Sequence, residues 1–118
     1  MEERLNDRIC REVFEEFYIR KNYEESIKKS KKVFRLLMKN DYISAKDNYY
    51  IWMILIVIVK SYYRINLIDK SLKYILITLR YSDCDWMRIE SMKYLMKYYR
   101  KKNELNDIND KVILCRRE

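Results

Sequence analysis

The residues that most often carry out chemistry are largely missing from this sequence, and those that remain favour recognition. None of the 118 residues is histidine, which removes the side chain that most often serves as general base and metal ligand near neutral pH. Glycine is absent too, so neither a phosphate-cradling loop nor a strained nucleophile elbow can be built. Glu15 with Glu16, and Glu24 with Glu25, are carboxylate pairs adjacent in sequence. On a helix such neighbours point about 100° apart, a poor disposition for acid/base work, and solvated faces are expected for both pairs. The three cysteines, Cys10, Cys84 and Cys115, are scattered, odd in number and without a C-x-x-C pair. They read as reduced structural thiols, and no metal or other cofactor is expected. The chain reads as a non-enzyme.

What is left is positive charge interleaved with tyrosine. Lysine and arginine number 26 against 18 acids, a net charge of +8, and there are twelve tyrosines. The balance is uneven along the chain: the first 25 residues are net −3 and the remainder net +11. Lys28, Lys29, Lys31, Lys32, Arg35 and Lys39 form one basic run. A second run, Lys93, Lys97, Arg100, Lys101 and Lys102, is threaded with Tyr94, Tyr98 and Tyr99. Such surfaces attract acidic proteins, acidic peptides or nucleic acid. Tyrosines among them can rest on a peptide or stack on a base, although at helical spacing Tyr62 and Tyr98 suit a core equally well.

These side chains need elements to position them, and the composition restricts the choice to helices. Without glycine or proline the chain lacks the residues that tight hairpins and bulges demand. The fold is expected to be all-α, in a single domain. Leu5, Ile9, Val13 and Phe17 recur at helical spacing and predict a first helix over residues 4–20, broken by Lys21 and Asn22. A second runs to Lys39. A polar stretch at residues 40–48 follows, in which Ser44 and Asp47 form an approximate capping box. Residues 49–63 are apolar nearly all round and predict a third helix shielded on most sides. The apolar run at 49–59 is too short to cross a bilayer, which takes about 18–20 residues. Ile68, Leu72, Ile75 and Leu79 mark a fourth helix, and Asp85 is expected to cap a fifth. The polar residues Lys101, Lys102 and Asn103 predict a turn, after which Leu105, Ile108, Val112, Ile113 and Cys115 make a short sixth helix. Residues 1–11 are too charged for a secretory signal, so the cytoplasm is the expected location.

The predicted elements repeat. Tyr62-Tyr63-Arg64 recurs as Tyr98-Tyr99-Arg100, and Phe17-Tyr18-Ile19-Arg20 holds the same place earlier. Tyr23-Glu24-Glu25-Ser26-Ile27 parallels Ile68-Asp69-Lys70-Ser71-Leu72. The pattern resembles the tetratricopeptide repeat, a helical hairpin with a tyrosine late in its first helix and a small residue early in its second. The middle unit carries the likeness best, with Leu55, Tyr62, Ser71, Ile75 and Thr78 at the packing positions. Val59 stands where that family has glycine, and Asp107 where it has a small apolar residue. The resemblance implies three stacked antiparallel hairpins in a right-handed array, at about residues 4–39, 45–81 and 85–116. It also implies a groove lined by the first helix of each unit. Lys60, Tyr63, Arg64, Lys97, Tyr99 and Arg100 are then the groove candidates. The function so implied is a protein- or peptide-binding regulator or adaptor, acting as an inhibitor or by sequestering its partner. A basic nucleic-acid-binding protein and a helical immunity or antitoxin protein are the alternatives, and self-association is open.

Overall fold

The computed structural model describes the backbone of residues 4–117 and the side chains of residues 4–104. Among the described residues there are helices and turns but no strand. The first helix, α1 (Leu5–Phe14), widens into a π-helical turn over Glu15–Ile19. It is followed by α2 (Tyr23–Met38), α3 (Ala45–Arg64), α4 (Ile68–Arg80) and α5 (Asp85–Arg117). Each helix packs on the next in chain order, and α1 also reaches α3.

The connections are built without glycine. Lys21 and Asn66 take the left-handed conformation, at φ 56° and 60°, which asparagine tolerates and lysine adopts at a cost. Asn66 N–H donates to the Tyr63 carbonyl and Leu67 N–H to that of Tyr62, at 3.3 and 2.9 Å. This is the Schellman pattern that terminates α3. At the start of α3 the Ser44 hydroxyl accepts from Asp47 N–H at 3.1 Å, as the capping reading anticipates. The carboxylate of Asp47 completes no box, because Arg4 holds it at 2.8 Å. Asp85 is the first residue of α5 and binds Arg88 at 2.7 Å in that turn.

Helix α3 is the centre of the molecule. Ile51, Trp52 and all of Ile54 through Val59 are buried. One side joins Cys10, Val13 and Phe17 of the first helix with Ile27, Val33 and Leu37 of α2. The opposite side meets Met87 through Trp52 and Ile56, and Ile75 with Tyr98 through Val59. An element wrapped on most sides must be apolar on most sides, which is what its composition predicts. Small residues sit where helices approach: Ser26, Ser30, Ser61, Ser71, Thr78 and Ser91 are fully buried. Cys10 and Cys84 carry free thiols, and burial pushes the Cys10 thiol up to about 12, assisted by the Asp47 and Asp7 carboxylates. Cys115 lies outside the described side chains.

Two expectations are corrected. Lys101, Lys102 and Asn103 make no turn, and α5 continues through them to Arg117, so the sixth helix and the third hairpin do not form. Lysine and glutamate favour helix, and one asparagine costs only about 0.7 kcal/mol relative to alanine, too little to stop a helix without a breaker. The side chains of Leu105, Ile108, Val112 and Ile113 lie outside those described. Glu16, expected on a solvated face, is buried. Arg20 and Lys29 donate to its carboxylate at 2.7 and 2.9 Å, supplying the counter-charge that a buried acid requires. In the second pair Glu24 is exposed and Glu25 half-buried.

Candidate functional site

A pocket of about 660 Å³ opens between α3 and α5, closed at one end by the corner where the first helix turns into α2. Its α3 wall is made by Lys60, Tyr63 and Arg64, and its α5 wall by Tyr94, Lys97, Arg100, Lys101 and Glu104. Both sets follow the steps of three and four that put residues on one stripe of a helix. The corner adds Phe17, Tyr18, Lys21 and Tyr23. Six cations therefore face one acid in a single cavity.

The cations are held over tyrosine rings. Lys60 Nζ lies 5.3 Å from the ring centre of Tyr18, Lys97 Nζ 5.1 Å from that of Tyr63, and the Arg64 guanidinium 6.0 Å from that of Tyr23. Such contacts orient a cation without neutralising it. Lys60 also donates to the Tyr18 hydroxyl at 3.1 Å. Burial works against its charge, but the hydroxyls of Tyr18 and Tyr94 outweigh it, and its pKa stands above the ordinary lysine value. Burial raises the phenols of Tyr94 and Tyr63. The Tyr63 hydroxyl has no hydrogen-bond partner among the described residues; the nearby Ser71 hydroxyl donates to the Ile68 carbonyl at 2.6 Å. None of Lys21, Arg64, Lys97, Arg100 or Lys101 is engaged in an ion pair among the described residues. The pocket is a cationic cradle with open coordination, able to grip carboxylates through forked guanidinium hydrogen bonds.

Of the six residues expected to line a groove, five come together here: Lys60, Tyr63, Arg64, Lys97 and Arg100. Tyr99 does not. It lies two residues past Lys97, about 200° round the helix, exposed and packed edge-on against Tyr98 at 5.3 Å. Sequence reasoning missed Tyr18, Lys21 and Tyr23 as groove residues. Their placement depends on the π-helical turn, where Arg20 N–H reaches the Glu15 carbonyl at 3.0 Å and Asn22 N–H that of Glu16 at 3.1 Å. The one sequence signal was the block of residues 17–20, a counterpart of the Tyr-Tyr-Arg segments. No group of three or more histidine, cysteine or carboxylate side chains able to hold a metal occurs among the described residues. Nor is any helix there long and apolar enough to cross a membrane. The chain matches no protein-family model, and no curated protein or solved structure is significantly similar to it.

Proposed function

We propose that this protein is a non-enzymatic binding module whose ligand is an acidic peptide segment of another protein, gripped in the groove between α3 and α5. One observation carries the reading: six cations line one pocket, and none of them makes an ion pair among the described residues. Left unpaired, charges so close repel one another, and an incoming carboxylate relieves that repulsion while gaining charge-assisted hydrogen bonds. The packing order supports a tetratricopeptide-like stack, with α1 and α2, then α3 and α4, as hairpins, and α5 as the first helix of an incomplete third unit. In that arrangement α1, α3 and α5 face the groove, consistent with the walls described above.

A peptide is favoured over nucleic acid because three of the four tyrosine rings in the pocket, those of Tyr18, Tyr23 and Tyr63, already carry a cation, which leaves little bare platform on which bases stack. The test is fluorescence anisotropy with a labelled Asp/Glu-rich peptide of about ten residues and a single-stranded RNA of equal charge. Preferential binding of the peptide, weakened but not abolished at high salt, is the expected result. Binding of the RNA alone, with a steep salt dependence, overturns the reading.

A further inference from the structure

Past Lys60 the groove continues into a second cavity of about 350 Å³ with different walls. Tyr18, Lys60 and Tyr94 are common to both cavities and form the divide between them. Beyond it the lining is Tyr49, Trp52, Met53, Ile56 and Trp86. Glu90, also at this cavity, is engaged by Lys93 at 3.1 Å. Trp52 is fixed: its indole N–H donates to the buried Ser91 hydroxyl at 3.0 Å, bolting α3 to α5. Trp86 stands edge-on to Trp52 at 5.3 Å and tilted against Tyr49 at 6.2 Å, yet it is 51% exposed. The two indoles thus form a corner, one wall rigid and one wet, large enough for a single apolar side chain.

We propose that the Trp52/Trp86 cavity is an anchor pocket for one branched aliphatic or aromatic side chain of the same acidic peptide, so that the groove reads a bipartite ligand. The claim rests on the proposed function and sharpens it. Charge complementarity selects the occupant's polarity: its carboxylates go to the Arg64 and Arg100 end, and an apolar residue goes beyond Lys60, against Tyr49, Trp52, Met53, Ile56 and Trp86. Spacing follows from helix geometry. Met53 and Ile56 precede Arg64 by eight to eleven residues, about 12–16 Å along α3 at ~1.5 Å per residue. An extended peptide covers that distance in about four or five residues. The two tryptophans of the chain both line this cavity, so their emission reports its occupancy.

Three labelled peptides provide the test: one bearing an acidic cluster alone, one with a leucine five residues from the cluster, and one with the leucine directly beside it. The spaced leucine is expected to tighten binding at least tenfold over the cluster alone and to shift tryptophan emission. The adjacent leucine should do neither. Trp86→Ala, and independently Met53→Ala, should erase the gain and leave the affinity of the purely acidic peptide unchanged. If all three peptides bind equally and tryptophan emission stays constant, the anchor pocket is refuted while the cationic groove stands. If no peptide binds and the single-stranded RNA does, the groove reading falls with it.

Discussion

Arg64 and Arg100 are exposed, line the same pocket and make no ion pair among the described residues, so their charge is free to act on a ligand. Replacing both with glutamate is expected to weaken an acidic peptide by tenfold or more, while unfolding free energy stays within about 0.5 kcal/mol of the parent, as for other exposed positions. Loss of helicity would instead make these arginines structural. A second residue-scale prediction concerns the acid limit of the fold. Hydrogen bonds from Tyr50 at 2.6 Å and from Lys46 hold the Asp7 carboxyl down at about 2. A depressed folded pKa adds stability that is present above the unfolded value near 3.8 and is lost as pH falls toward 2. Asp7 in turn raises the Tyr50 phenol to about 12 from its usual 10, so stability also declines between those values. Tyr50→Phe should flatten both limbs when urea midpoints are followed against pH.

At the scale of elements, the left-handed residues and α5 give the clearest tests. Lys21 adopts φ 56° although its Cβ opposes that conformation by roughly 1–2 kcal/mol, a penalty glycine escapes. Lys21→Gly is expected to raise stability by about 1 kcal/mol in chemical denaturation. Asn103 lies inside α5, so Asn103→Ala should stabilise by about 0.5 kcal/mol; at a turn it would do the opposite. How well these elements could be read from sequence follows from the kind of signal each carries. Helix α3 was legible because apolarity nearly all round has one cheap explanation, burial on most sides. Lys60, Tyr63, Arg64, Lys97 and Arg100 were named through the repeat resemblance, and they meet in one pocket because they fall on helical stripes of α3 and α5, which Tyr99 does not. The turn placed at residues 101–103 rested on polarity alone, and polarity on an exposed helix face does not break a helix. The π-helical turn had no marker, since what ties it to α2 is Lys29 meeting the Glu16 carboxylate, a contact between helices that local spacing does not encode. Tyr18, Lys21 and Tyr23 were hidden with it.

For the molecule as a whole, the packing of α1 through α5 in chain order leaves one side of α3 lined by Tyr49, Trp52, Met53, Ile56, Lys60, Tyr63 and Arg64 along the two cavities. The basic run of α2 lies elsewhere, with Lys31 over the rings of Tyr62 and Tyr74 at 5.3 and 5.5 Å and Lys29 committed to Glu16. Net charge alone would therefore direct a polyanion to several surfaces, whereas the geometry selects one. Amide chemical-shift mapping of the labelled protein, titrated with the acidic peptide, tests that selection most directly. Perturbations confined to residues 53–64 of α3, 94–101 of α5 and the corner at 17–23 are predicted; a response centred on Lys28, Lys32 and Arg35 of α2, with the groove silent, would contradict it.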